Sequence, residues 1–291
     1  MSEAIHVIGA SGRSGAVLCA ALAARGDRVV AVVRDGAKFR RLGLGGEVRV
    51  ADLADPPALA RALAGARRVV SCAHARHAAA IRAAAPADAR FVLLGSTRRH
   101  TRWPDGHGLG VIAGETAWLA SGRSGVMLHP TMIYGAQGED NVRRLAALLR
   151  RLPVVPLPGG GRSLVQPIHQ GDLTRCVLAA LDIAWDGPQL LVVAGPIPLP
   201  YADFVRAVAA AAGRRPPRIL GVPVGALIAL SPLTRLPGLP RIRAAELRRL
   251  TEDKAFDIAP MRARLGVAPI GLDEGLAQTF RPMLAGGPLR S

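Results

Sequence analysis

His6-Val7-Ile8-Gly9-Ala10-Ser11-Gly12-Arg13-Ser14-Gly15 is the stretch on which the fold turns. A short apolar run over residues 5–8 enters three glycines spaced three apart, and an Ala/Leu-rich segment over residues 14–25 leaves them. The first glycine permits a tight turn. The second lets backbone N–H groups approach a pyrophosphate with no Cβ in the way, and the third lets the helix pack close to the strand. The helix N-terminus then faces the anion with the positive end of its dipole. A strand before, a helix after and a place at the N-terminal end give the glycines the context of a dinucleotide site. The expected contacts are Gly9, Ser11, Gly12, Arg13, Ser14 and Gly15.

Outward from this turn, strand and helix alternate. Apolar, β-branched runs fall at 28–33, 48–50, 68–71, 91–94 and 126–128, with helical segments at 57–64 and 78–85 between them. Strands separated by helices pair in parallel through right-handed crossovers, and short apolar strands suit a sheet covered on both faces. The fold class is therefore α/β, a doubly wound parallel-sheet Rossmann fold over residues 1–180. Residues 181–291 form mostly a small C-terminal substrate lobe, interleaved with the core. Proline and glycine thicken at 152–162 and 195–240, between helices expected at 141–151, 172–181, 201–212 and 242–250. This irregular part is expected over the C-terminal edges of the strands, where open α/β sheets bind ligands.

The end of the second strand bears on the cofactor. An NAD site places Asp or Glu there for the ribose 2′-hydroxyl, whereas this strand ends in Arg34, with Asp35 only afterwards. A guanidinium suits a 2′-phosphate, and Arg13 and Lys38 are placed to add charge. NADP is the expected cofactor, with NAD the lesser alternative if Asp35 points inward. Asp52, after the third strand, is placed either to bond an adenine amino group or to cap a helix. Ser71-Cys72-Ala73, after the fourth, would run past the adenosine ribose and pyrophosphate.

Composition excludes other classes. Half of the 291 residues are hydrophobic, ample for a packed core. The net charge of +17 raises nucleic acid as a partner, but the arginines are dispersed, no run of five exists and aromatics are 3%. We expect a solvated basic surface and no nucleic-acid partner. Cys19, Cys72 and Cys176 are an odd count without paired spacing, which argues against disulfides and a metal site and for a cytoplasmic location. The apolar stretch 219–230 is interrupted by Pro223 and too short to span a bilayer.

Further motifs lie along most of the chain. They are Gly95-Ser96-Thr97 after the fifth strand, Glu115 on the next helix and His129-Pro130-Thr131-Met132-Ile133-Tyr134-Gly135 after the sixth. Then come Pro158-Gly159-Gly160-Gly161-Arg162, Gln166-Pro167-Ile168-His169-Gln170-Gly171-Asp172, Arg264-Leu265-Gly266-Val267-Ala268-Pro269 and Leu272-Asp273-Glu274-Gly275-Leu276. With the glycine turn, these resemble the extended and atypical short-chain dehydrogenase/reductase proteins, in the branch of the nucleotide-sugar epimerases. The resemblance extends to the group that includes the accessory Rossmann subunit of respiratory complex I. It implies that Pro130, Met132 and Ile133 lie against the nicotinamide and that Ser96 and Thr97 face the substrate oxygen. It also implies that His129 stands where relatives often have Arg, and that His169 and Asp172 join lobe to core. For Asp172 the expectation is a helix N-cap.

The departure from that family is at the catalytic pair. Catalytic members use a Tyr to pass a proton and a Lys four residues later to lower its pKa. Here Tyr134 and Tyr201 are followed at four by Gly138 and Val205, and the two lysines, Lys38 and Lys254, lie elsewhere. Counting back from Glu115, the positions of the pair hold His107 and Val111. Two classes of function follow. The first is an oxidoreductase or epimerase-like enzyme whose acid/base is His107, with Thr97 or Ser96 orienting the substrate oxygen and His100 or Tyr134 assisting. In the second, the chain is a non-catalytic dinucleotide-binding accessory subunit or redox sensor. The partners expected are an unidentified small-molecule substrate and either a protein partner or a second copy of the chain.

Overall fold

The computed structural model describes residues 3–136, 141–230 and 244–284. Its first half is β1 (Ile5–Ile8), α1 (Arg13–Ala24), β2 (Val29–Val33), α2 (Gly36–Arg40), β3 (Glu47–Val50), α3 (Pro56–Ala62), β4 (Arg68–Ser71), α4 (Ala78–Ala84), β5 (Arg90–Leu94), α5 (Gly106–Leu119) and β6 (Gly125–Pro130). These six strands and a seventh, Pro188–Val193, form one sheet in the order Pro188–Val193, β6, β5, β4, β1, β2, β3. Every pairing in it is parallel. The chain runs outward from β1 in one direction through β2 and β3 and in the other through β4 to β6. The crevice between β1 and β4 is therefore the switch point at which such sheets take their ligands.

Both faces of the sheet are covered, which is why β1 and β2 are buried at every position and apolar at every one but His6. On one face Leu18 and Leu22 of α1, Phe39 of α2, Leu173 and Val177 of the helix Gln170–Leu181, and Met261 and Leu265 of the helix Ala259–Leu265 form a single cluster. On the other, Leu59, Ile81, Val111 and Trp118 pack α3, α4 and α5 against Phe91 and Met127. A third core, with Tyr134, Val142, Leu157, Phe204, Val208, Leu276 and Phe280, is the lobe.

Strands β1–β6 and helices α1, α3 and α4 lie where periodicity puts them, α2 was not anticipated, and most corrections fall in the second half. The seventh strand was not anticipated and carries the sheet past residue 180. It is an edge strand, and its run Leu190-Leu191-Val192-Val193 is apolar, but it lies 58 residues beyond β6, in the half read as an irregular lobe. The expected irregular stretch 152–162 holds a strand, Val154–Pro158, paired in parallel with Arg218–Val222. Two prolines are tolerated because that pair is two strands wide and leaves edges on both sides. The helix expected at 242–250 is observed as Ala244–Arg249, and Ile242 and Arg243 lie outside the described residues. Asp172 does not cap the helix Gln170–Leu181. His169 does so, its Nδ1 accepting the N–H of Gly171, while Asp172 accepts the N–H of Ile270 at 3.0 Å and pairs with Arg175.

Candidate functional site

The glycine turn is built as its spacing requires. Gly9 adopts a left-handed φ of +75°, and the N–H of Gly12 donates back to its carbonyl at 2.9 Å. A Cβ on Gly15 would stand 2.2 Å from that same carbonyl oxygen, so only glycine lets α1 sit this close to the turn. Gly12 is the N-cap of α1 in extended backbone, with no side-chain cap and no acid in the first helical turn. The positive end of the helix is thus turned to the β1–β4 crevice with no carboxylate of its own to neutralise it. Gly9 lies against the backbone of Cys72 and Ala73, just past Ser71 at the end of β4. Ser71 is buried and its hydroxyl accepts the N–H of Ala73. Ser14 reaches the other way, donating to Gln170 at 3.1 Å and tying α1 to the helix Gln170–Leu181. Ser11 is half-buried in the turn, and Gly12 and Arg13 are exposed.

At the end of β2, Asp35 is the N-cap of α2 and accepts the N–H of Lys38 at 3.0 Å. That hydrogen bond holds its carboxyl below the usual range. Arg34, one residue earlier, is exposed. Asp52 accepts the N–H of Ala54, and the neighbouring Asp55, not Asp52, caps α3. The capping alternative for Asp52 is therefore corrected by three residues.

The residues expected on the substrate side gather after β5 and β6. Gly95 lies under His129, whose ring leaves no room for a Cβ at that position. Thr97 donates its hydroxyl to the carbonyl of Pro130 at 3.2 Å, joining the ends of β5 and β6. The Ser96 hydroxyl accepts the N–H of Arg98, which leaves its own hydrogen to donate. His129 is 1% exposed and receives the N–H of Ser96 on Nδ1 at 3.1 Å. Its Nε2 is 3.1 Å from Oε2 of buried Glu115, which lies 2.9 Å from Nε of Arg99. Burial pushes the His129 imidazole down to about 4, so it is neutral at neutral pH, and the same burial raises the Glu115 carboxyl. Met132 and Ile133 are half-buried beyond β6, where the carbonyl of Met132 accepts the N–H of Ile168.

His107 lies in the first turn of α5, behind the N-cap Asp105, rather than in a loop. This turn packs between the segments that follow β4 and β5. A Cβ on Gly108 would meet the Arg98 carbonyl at 3.4 Å, and Nδ1 of His107 is 3.1 Å from Nε2 of His74. His107 is exposed, and its imidazole is lowered first by burial and then by Arg98. Val111, one turn on, is buried in the core. The tyrosines are placed differently. Tyr134 is buried in the lobe with its hydroxyl against Gly275, and burial raises its pKa and that of Tyr201. His100 stacks against Phe256 at 5.6 Å. Sequence reading passed over His74, and no local signal marks it, because its partner is 33 residues away.

The turn, the exposed α1 terminus and the Arg34/Asp35 arrangement fit a dinucleotide phosphate. Among the described residues no cluster of His, Cys, Asp or Glu could hold a metal, and no helix is long and apolar enough to cross a membrane. Residues 9–115 match the model of an NAD(P)H-binding family. A stretch of 135 residues, 40% of the chain, is 30% identical to 4-hydroxythreonine-4-phosphate dehydrogenase of Methylorubrum populi and spans 39% of that protein. The whole fold is similar to that of an NADPH-dependent quinone oxidoreductase of Escherichia coli complexed with NADPH, with a TM-score of 0.76 and 19% identity over 95% of this chain and 99% of that one. It is also similar to UDP-glucuronic acid 4-epimerase of Bacillus cereus in complex with UDP-glucuronic acid and NAD, with a TM-score of 0.73 and 15% identity over 97% and 99% of the two chains. Residues 9–115 thus match an NAD(P)H-binding family model, within a chain whose whole fold is similar to those of an NADPH-dependent quinone oxidoreductase and a sugar-nucleotide epimerase.

Proposed function

We propose that the chain is an NADP(H)-dependent oxidoreductase in which His107 replaces the usual tyrosine as hydrogen-bond partner of the substrate oxygen. The observation that carries this reading is the position of His107, at the same C-terminal edge of the sheet as the glycine turn and between the segments that follow β4 and β5. Gly9, Gly12, Gly15 and the N-terminus of α1 would hold the pyrophosphate, and Arg34 the 2′-phosphate, since Asp35 is committed to α2. The nicotinamide, when bound, supplies the redox chemistry. The protein's share is to stabilise charge that develops on the substrate oxygen, and preorganised donors do this at no reorganisation cost. Two donors are at hand, Nε2 of His107 and the hydroxyl of Ser96. Thr97 has its proton committed to Pro130, so its part is to hold the loop.

Quinones and small ketones are the acceptors to try first, and NADPH consumption is the readout. His107→Ala should lower turnover by roughly 10²–10³-fold, the usual worth of one preorganised donor, and leave NADPH affinity intact. Full turnover in that variant would refute the assignment. The burial of Tyr134 in the lobe also favours a second reading, a non-catalytic dinucleotide-binding subunit or sensor. Tight NADPH binding, a co-purifying protein partner and no reducible acceptor would decide for it.

A further inference from the structure

His74 and His107 form a pair whose protons are assigned by the backbone. His74 lies just past β4, ahead of the short helical turn Ala75–His77. Its Nδ1 accepts the backbone N–H of Arg76 at 3.1 Å. A backbone N–H can only donate, so that nitrogen carries no proton and neutral His74 holds its hydrogen on Nε2. The Nε2 is in turn 3.1 Å from Nδ1 of His107. The bond therefore runs from His74 to His107, and Nδ1 of His107 is the acceptor. The remaining proton of neutral His107 is on Nε2, on the side of the ring away from His74.

Packing keeps this arrangement in place. The two rings meet edge to face with centroids 4.3 Å apart. A Cβ on Gly110 of α5 would come within 2.9 Å of the His74 ring, so glycine there is what allows the ring to sit against the helix. The groups facing His107 are Arg98 beside α5, the cap Asp105, Arg249 of the helix Ala244–Arg249, and Arg76; those facing His74 are His107, Arg76 and His77. Asp105 is the one anion among them, and it is shared with Arg98 and Arg249. A cationic His107 would also set an N–H against the N–H of His74.

We propose that His74 is a positioning residue that holds His107 as a neutral imidazole with its proton on Nε2, so that the site polarises the substrate oxygen by donating a hydrogen bond instead of acting as a cationic acid. This rests on the reading of His107 given above, but its test does not need a substrate. Long-range ¹H–¹⁵N spectra of the ¹⁵N-histidine-labelled chain report which ring nitrogen carries the proton. At pH 7.5 His107 should show a bare Nδ1 and a protonated Nε2, and should titrate below the ordinary 6.5. His74→Phe keeps a ring but removes the donor. In that variant the tautomers of His107 should mix and its midpoint should rise by about half a pH unit or more. His74→Gln, whose amide nitrogen can stand in for Nε2, should return the native signature. If a reducible acceptor is found, the pH dependence of the rate should have a lower midpoint in the native chain than in His74→Phe. A protonated Nδ1 on His107 in the native chain, or an unchanged tautomer and midpoint in His74→Phe, would overturn the proposal. If His74→Phe does not fold, the native tautomer alone decides. A native tautomer as stated, together with full turnover in His107→Ala, would instead sink the functional reading and leave the pairing standing.

Discussion

Gly12 and Gly15 look alike in the glycine turn and should respond to substitution in opposite ways. A Cβ on Gly15 has the Gly9 carbonyl 2.2 Å away and the Ala10 Cα at 2.9 Å, all backbone that cannot step aside. Gly15→Ala should cost about 1–3 kcal/mol of stability, the usual toll of overpacking, visible as a lower urea midpoint. Gly12 has extended φ and ψ, and its Cβ would be 3.0 Å from the same oxygen, a contact relieved by a few tenths of an ångström where the 2.2 Å at Gly15 would need about an ångström. As the N-cap of α1, Gly12→Asp even supplies a favoured capping side chain. Stability should stay within about 1 kcal/mol of the native value, while a carboxylate now stands where the pyrophosphate would bind, and like charges cost several kcal/mol there. Calorimetry showing unchanged NADPH affinity in that variant would contradict the phosphate assignment. Arg34 tests the cofactor choice at the same scale. Arg34→Ala should weaken NADP binding by about 1.5–3 kcal/mol, the range for a hydrogen bond to a charged group, and leave NAD binding nearly untouched. Equal native affinity for the two cofactors would refute the preference.

Helix α5 carries His107, and its N-terminus is held by one carboxylate. Asp105 accepts the N–H of Gly108 at 2.9 Å and pairs with Arg249 at 2.9 Å and Arg98 at 3.3 Å. The Gly108 hydrogen bond first, then the two guanidinium groups, hold its carboxyl below the usual range. Along the helix, Gly114 lets α5 approach the Ala75 carbonyl, which a Cβ would meet at 2.0 Å. Asp105→Ala removes the cap and leaves Arg249, whose side chain is 10% exposed, without its partner. A cap is worth about 0.5–2 kcal/mol and an abandoned buried charge more, so the loss should be at least about 2 kcal/mol. Asp105→Asn keeps the capping oxygen and should lose less. Urea unfolding of both variants checks the order, and equal losses would mean that the ion pairs contribute nothing.

For the molecule as a whole, buried histidines should set its acid limit. His6 lies within β1 at 3% exposure, with no hydrogen-bond partner for either ring nitrogen among the described residues. Burial first, then Arg49, lowers its pKa, and burial takes His129 down to about 4. Between the ordinary 6.5 and these depressed values, the unfolded chain takes up protons that the folded chain refuses. Stability is therefore fully present above pH 6.5, falls as the pH drops from 6.5 toward about 4, and levels off for these groups below that. The slope should approach about 1.4 kcal/mol per pH unit for each fully refused proton. His6→Leu, which replaces an unpartnered ring with an apolar side chain of β1, should flatten part of that slope. Equal urea midpoints at pH 7 and pH 5 would contradict this account.

Residues close in sequence decided the core of this protein. The spacing of Gly9, Gly12 and Gly15, the apolar runs of β1 to β6 and the helical segments between them are interactions within a few residues, so turn chemistry and periodicity express them directly. The roles of Gly9 and Gly15 were legible for that reason, and Asp35 as a cap obeys the same local rule, although its direction had to be seen. Tertiary structure decided what depends on residues far apart. The seventh strand joins β6 from more than 60 residues on; Glu115 reaches Arg99 and His129 from three separate elements; Asp172 binds Ile270 instead of its own helix. Thr97 donates its hydroxyl to the Pro130 carbonyl, 33 residues on, a contact that no local pattern announces. His107 was singled out only by counting back from Glu115, and His74 becomes its neighbour only through the packing of α5 against the segment after β4.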